Sequence, residues 1–264
     1  MPVTLAISAD KGTPKSKLDQ LAEQTSLPLL SPKIKPDYLL HICTDRLECR
    51  RVISSSNQKK QKFEAISVDF LGGKANHRRL HGGGKGQDIA KAIGLHKIKN
   101  PTILDLTAGM GGDSFVLATL GAEVTMIERN PIVHALLKDA LDRVSLSADA
   151  DIQDIFRRIK LKKIDSQQAL THLNEETFPD VIYLDPMFPA RTKSAQVKKE
   201  MQFFHNIVGD DEDSESLLLN AMAKAKKRIV VKRPRLAEAL TDKFQANFVV
   251  SGKSTRYDIY LPKE

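Results

Sequence analysis

From residue 101 onward the chain alternates short apolar runs with helical stretches, and this alternation narrows the fold more than any other pattern in it. Thr102–Leu106 reads as a buried strand, and Val124–Glu128, Ile159–Ile164, Val181–Leu184 and Ile229–Lys232 read as further strands. Asp113–Leu120, Ser166–Leu173 and the stretches 195–206 and 213–226 read as helices. Asn130-Pro131 opens another helix, running to about Arg143, with Asn as N-cap and Pro at the first helical position. Phe248–Lys253 and Tyr257–Leu261 read as a terminal antiparallel pair. Repeated strand–helix units predict an α/β fold with a mainly parallel sheet covered by helices on both faces.

The first hundred residues differ. Residues 1–70 predict a small α/β region: a strand at Val3–Ser8, a helix at Pro14–Thr25, a strand at Pro36–Thr44 and a polar loop at Ser54–Gln61. Residues 71–86, LGGKANHRRLHGGGKG, are basic and too glycine-rich for a helix or strand interior, so they predict a mobile loop that either cradles phosphate, grips RNA or merely links. It is not a Walker A motif, because Lys85 is followed by Gly86 rather than a hydroxyl residue. Gln87–Gly94 reads as a short helix. The region 71–100 therefore separates the small region from a domain spanning 101–264.

Charge follows the same division. The chain of 264 residues carries a net +8, and residues 1–100 alone carry +9 against −1 for the rest. Such asymmetry suggests an acidic partner, most simply nucleic acid, whose phosphates Lys and Arg neutralise. No run approaches the roughly 18 apolar residues of a membrane span, and the N-terminus lacks a signal-peptide pattern. Cys43 and Cys49, with only His41 nearby, match no metal-ligand spacing and read as reduced thiols of a cytosolic protein, with no metal expected.

Two motifs carry chemistry. Asp105-Leu-Thr-Ala-Gly109-Met-Gly111-Gly112-Asp113 follows a strand and opens a helix, the setting of a ligand-binding turn. Asp105 and Asp113 put negative charge where a dinucleotide's pyrophosphate would lie. They favour instead a ligand with a cationic, donor-rich end, such as S-adenosylmethionine. Glu128 ends the second strand, where a carboxylate can accept both ribose hydroxyls, and Arg129 can lie along an adenine face. Asp165 ends the third strand, where it can accept an adenine amino group, with Ser166 as helix N-cap. The second motif, Tyr183-Leu-Asp185-Pro186-Met187-Phe188-Pro189, is held extended by its prolines. Asp185 and the Pro186 carbonyl can each accept a hydrogen bond from an exocyclic amino group, and Phe188 can stack on its ring.

These residues carry a resemblance. DLTAGMGGDSF and IERNP resemble the cofactor half of class I S-adenosylmethionine-dependent methyltransferases. LDPMFP resembles the Asp/Asn-Pro-Pro-Tyr/Phe motif of amino-group methylating enzymes, with Met187 in place of the second Pro. The run from Tyr183 to Gly209, then RIVVKRP and RYDIY, is similar to the ribosomal RNA small-subunit methyltransferase J family. The resemblance covers about residues 63–262. It implies a Rossmann-like class I fold, a seven-stranded sheet with an antiparallel C-terminal strand, and methylation of guanosine N2 in small-subunit ribosomal RNA, free or in the subunit. It implies cofactor contacts at Gly112, Asp113, Glu128, Arg129, Asp165, Ser166 and Asp185. The acidic stretch after Ser147 has no place in that pattern.

Lys85, Arg191, Lys193, Lys198, Lys199, Lys232, Arg233 and Arg235 are the candidate phosphate contacts, lying in the glycine-rich segment or after the fourth and fifth strands. Competing readings are a methyltransferase for DNA adenine or protein glutamine, a non-catalytic RNA-binding protein, and an NAD-linked oxidoreductase. The basic first hundred residues favour a polyanion over a protein, the intact motifs speak against a mere binder, and Asp105 and Asp113 speak against NAD.

Overall fold

The computed structural model describes residues 3–52, 64–187, 206–209 and 213–262. In chain order the elements begin with β1 (Leu5–Ala9), α1 (Lys15–Thr25), β2 (Tyr38–Ile42), β3 (Leu47–Arg51), β4 (Glu64–Ile66), α2 (Gly73–His81) and α3 (Asp88–Ile93). There follow β5 (Thr102–Asp105), α4 (Gly112–Thr119), β6 (Glu123–Ile127), α5 (Pro131–Ser145), α6 (Ala150–Arg157), β7 (Ile159–Lys162) and α7 (Ser166–Thr171). The last are β8 (Val181–Leu184), α8 (Ser214–Ala221), β9 (Arg228–Pro234), β10 (Phe248–Ser251) and β11 (Thr255–Tyr260). The predicted loop Ser54–Gln61 and nearly all of the predicted helix 195–206 lie outside the described residues.

The chain forms two compact units. One comprises residues 1–68, 130–143 and 189–210; the other comprises 69–129, 144–188 and 211–264. The glycine-rich segment thus belongs to the larger unit.

In the smaller unit four strands pair in the order β1-β2-β3-β4, β1 and β2 in parallel and the rest antiparallel. Parallel pairing needs a crossover, which α1 supplies. Ile7 and Leu40 face each other in register and are fully buried. In α5, the Asn130 side chain accepts hydrogen bonds from the Ile132 and Val133 N–H groups, the cap that Asn-Pro predicts. The sequence pattern missed β3 and β4. β4 is only three residues long, and β3 buries Glu48 between Leu47 and Cys49, which hides its alternation.

The larger unit holds a seven-stranded sheet in the order β10-β11-β9-β8-β5-β6-β7. β5 to β9 run parallel, and β11 is antiparallel to both neighbours. β8 is buried at all four positions, as a parallel strand covered on both faces must be. Leu104, Ile182, Leu184, Val231, Leu218 and Tyr260 share one apolar core.

Two expectations are corrected here. Residues 71–86 are not a continuous loop: α2 occupies Gly73–His81. Its glycines lie only at the ends, Gly72 as N-cap and Gly82 as C-cap, and Lys74–His81 contains none. The unplaced acidic stretch is helical. Asp149 caps α6 by accepting from the Asp151 and Ile152 N–H groups, Ile152 and Ile155 are buried, and Asp154 pairs with Arg158. Its acidic residues serve a helix start and a solvent face. No helix among the described residues is long and apolar enough to cross a membrane.

Candidate active site

The ends of β5, β6, β7 and β8 meet at the carboxyl edge of the sheet, where open α/β folds bind ligands. The turn after β5 is shaped by backbone. Gly109 and Gly111 have φ of 52° and 70°, the left-handed region that favours glycine. Gly112, the first residue of α4, faces open space: a Cβ there would meet nothing within 4 Å.

Asp105 braces this turn from beneath. It is 2% exposed, and its carboxyl accepts from the Thr107 N–H at 3.1 Å and the Ser114 hydroxyl at 2.5 Å. Burial pushes the Asp105 carboxyl up to about 7, against the pull of those two hydrogen bonds. It shapes the turn rather than presenting charge at the surface. Glu128, just past β6 and buried, accepts from the Gly109 N–H at 3.2 Å.

The N-cap role expected of Ser166 falls to Asp165. Asp165 is the N-cap of α7, accepting from the Gln167 and Gln168 N–H groups. Ser166 instead donates to the Leu106 carbonyl at 2.5 Å, tying α7 to the turn after β5. Arg129 pairs with Asp213 at 3.0 Å and lies 3.5 Å from Asp165.

A charged cluster occupies the middle of the edge. Asp113, in the first turn of α4, is nearly buried. Its Oδ2 accepts from the Tyr183 hydroxyl at 2.8 Å and the Lys232 ammonium at 2.7 Å, and its Oδ1 accepts from Arg78 at 2.7 Å. Burial alone would raise this carboxyl, but Lys232 and Arg78 outweigh it and hold it below the ordinary range. Lys232 also donates to Asp185 Oδ2 at 2.6 Å. Burial alone would lower the Lys232 ammonium, but the two carboxylates outweigh it and raise it. The Asp185 N–H donates to the Thr107 hydroxyl at 2.6 Å, and Pro186 is buried behind it.

Sequence reasoning treated Lys232 and Arg233 together as phosphate contacts, and the strand separates them. Successive side chains of β9 point to opposite faces. Lys232 turns to the carboxylates, while Arg233 is 5% exposed and donates to the Glu238 carbonyl. Burial lowers the Arg233 pKa from its ordinary value. Arg233 is therefore withdrawn as a phosphate contact. Lys85 is exposed in a short 3-10 turn at Gly84–Gly86. Phe188, Arg191, Lys193, Lys198 and Lys199 lie outside the described residues.

Arg78 was missed, because it sits in the segment read as a loop. Beside it opens a cavity of about 310 Å³ lined by polar groups including Gln87, Ser254 and the exposed Lys253. The sequence also missed the approach of Asp10, His41 and Cys43 in the smaller unit, whose ligand atoms lie within 4.8 Å of one another. His41 there is hydrogen-bonded to Ser8 and Asp10.

Residues 21–262 match a family described as "Putative SAM-dependent methyltransferase". A relative from Proteus mirabilis named ribosomal RNA small subunit methyltransferase J is 44% identical, covering 98% of this chain and 99% of its own. A Coxiella burnetii protein of the same name is 46% identical, with 98% of each chain covered. The chain belongs to the ribosomal RNA small subunit methyltransferase J family. A crystal structure of a SAM-dependent methyltransferase from Neisseria gonorrhoeae is 35% identical and superposes with a TM-score of 0.72, covering 97% of this chain and 96% of that one. The seven-stranded sheet is the Rossmann-like class I sheet the sequence implies.

Proposed function

We propose that this enzyme transfers a methyl group from S-adenosylmethionine to the exocyclic N2 of a guanosine in small-subunit ribosomal RNA, in the cytoplasm. The observation that carries the reading is the placement of Asp185-Pro186 at the end of β8, directly beside the glycine turn at the end of the neighbouring β5.

The donor chemistry of the edge suits the cofactor. S-adenosylmethionine presents an ammonium, a sulfonium, two ribose hydroxyls and an adenine amino group, all cations or hydrogen-bond donors. The edge answers with the carboxylates of Glu128, Asp165 and Asp185, and with an open glycine turn where backbone can approach closely. When bound, the cofactor supplies an electrophilic methyl group on sulfur.

The chain's own residues then orient the acceptor. Guanine N2 is a weak nucleophile because its lone pair is shared with the ring. Asp185 and the Pro186 carbonyl accept its two N–H bonds, which localises the lone pair and aims it. Phe188 stacks on the base. Such positioning supplies up to about 7–11 kcal/mol in ideal cases. The lost proton passes to water. A stacked guanosine must first be splayed out, at about a few kcal/mol. Exposed Lys85 and Lys253, with Arg191, Lys193 and Lys198, supply phosphate contacts that weaken with salt.

The test is methyl transfer from labelled S-adenosylmethionine to ribosomal RNA, free and in small subunits from cells lacking the protein, followed by digestion to nucleosides. Label in N2-methylguanosine, absent with Asp185→Ala, is the expected result. Label in another nucleoside, or only in protein, overturns the assignment of the acceptor.

A further inference from the structure

The Lys232 ammonium bridges carboxylates from both halves of the site. It reaches Asp113 Oδ2, at the mouth of the glycine turn, at 2.7 Å and Asp185 Oδ2, at the acceptor end of β8, at 2.6 Å. The strand register produces this. β8 and β9 run parallel with Leu184 opposite Val231, so the next residue on each strand, Asp185 and Lys232, comes level. Alternation then turns Lys232 toward the carboxylates and Arg233 away. Charges also balance locally: Asp113 and Asp185 are matched by Arg78 and Lys232.

We propose that Lys232 is a positioning residue: it clamps the Asp185 carboxylate to Asp113, fixing the rotamer in which Asp185 accepts the target amino group and the distance of that group from the glycine turn. The proposal rests on the methyl-transfer reading above. An ammonium 2.6 Å from one oxygen of a carboxylate that is 38% exposed narrows the orientations that carboxylate adopts. The clamp also sets its charge chemistry. With Oδ2 committed to Lys232, Asp185 orients the amino group and leaves the departing proton to water. Lys232 touches no reacting atom and acts through Asp185.

The experiment compares Lys232→Met, Lys232→Arg, Asp185→Asn and the double variant Lys232→Met/Asp185→Asn in full-length protein, measuring kcat, KM for RNA, S-adenosylhomocysteine affinity and urea unfolding. Lys232→Met is expected to lower kcat by roughly 10²-fold, the scale of a misplacement of about 1 Å, with KM for RNA nearly unchanged. Lys232→Arg, which keeps the charge, recovers part of the loss. The double variant is no slower than Asp185→Asn alone, because both changes remove the same interaction. Additive losses, or a Lys232→Met enzyme with normal kcat, overturn the proposal. A loss confined to KM for RNA overturns it in favour of a phosphate contact. Should Lys232→Met fail to fold, Lys232→Arg decides: normal folding with a partial loss of kcat that disappears in an Asp185→Asn background supports the clamp, and normal folding with unchanged kcat, or with a loss that persists in that background, overturns it. If wild-type enzyme methylates no guanosine N2, the methyl-transfer reading itself has failed, which is a separate result.

Discussion

Arg78 donates to Asp113 at 2.7 Å, so the second turn of α2 is pinned to the first turn of α4 by an ion pair whose carboxylate is shielded from water. Asp113 has Lys232 and Tyr183 on its other oxygen. Removing one partner of such a charge leaves the remainder under-compensated, at about 1–3 kcal/mol. Arg78→Met should lower unfolding stability in urea by that amount. The same change in an Asp113→Asn background should cost clearly less, since the buried charge is gone. Equal costs in both backgrounds would show that Arg78 acts through packing alone.

Asp105 links stability to pH. Burial gives its carboxyl a pKa of about 7 in the folded state, above its ordinary 3.8. The native state therefore holds that proton more tightly than the unfolded chain. The stability this lends is complete below the ordinary value and is lost as pH rises through about 7. Asp105→Asn keeps an acceptor for the Thr107 N–H and has no proton to lose. Its stability relative to wild type should therefore increase between pH 5 and pH 8, on the order of a few kcal/mol. Urea titrations at both pH values check this, and parallel changes in the two proteins would refute it.

Much of the site was legible because strand ends are marked in the sequence. Asp105, Glu128 and Asp185 each end an apolar run and Asp165 follows the alternating strand IKLKKI, and parallel strands deliver such residues to one edge. What escaped depended on side-chain direction and on partners distant in sequence. Lys232 and Arg233 are neighbours in a basic triplet, and only the strand's alternation decides which one meets Asp185. Ser166 and Asp165 are both good caps, and only the Leu106 carbonyl decides between them. Arg78 was hidden by glycines that bound its helix rather than interrupt it. The smaller unit was the least legible, since its strands are short and one of them buries a glutamate.

Gly94 ends α3 with φ of 82°, and a Cβ there would lie 2.8 Å from the Arg228 guanidinium. Arg228 in turn donates to the Ala92 carbonyl at 3.0 Å, closing the last turn of that helix. Gly94→Ala meets the left-handed backbone cost of about 1–2 kcal/mol and pushes Arg228 off its acceptor. A loss of about 2 kcal/mol or more in unfolding stability is expected. The kcat of the folded enzyme should be unchanged at low temperature, because neither residue reaches the carboxyl edge. A stability equal to wild type would mean that the chain finds another way to close α3.

Glu128 does two jobs that a pair of substitutions separates. Its Oε2 accepts from the Gly109 N–H at 3.2 Å, which holds the left-handed turn, and its charge faces the place proposed for the ribose hydroxyls. Glu128→Gln keeps an acceptor for Gly109 and loses the charge, while Glu128→Ala loses both. Hydrogen bonds to a charged acceptor contribute about 1.5–3 kcal/mol. Glu128→Gln should therefore weaken S-adenosylhomocysteine binding by roughly tenfold or more with little change in melting temperature. Glu128→Ala should weaken binding further and also destabilise the protein, since the Gly109 N–H loses its partner. Titration calorimetry with S-adenosylhomocysteine, alongside thermal melts without ligand, distinguishes the two effects. If Glu128→Gln binds as tightly as wild type, the carboxylate serves the turn alone and the ribose hydroxyls are held elsewhere.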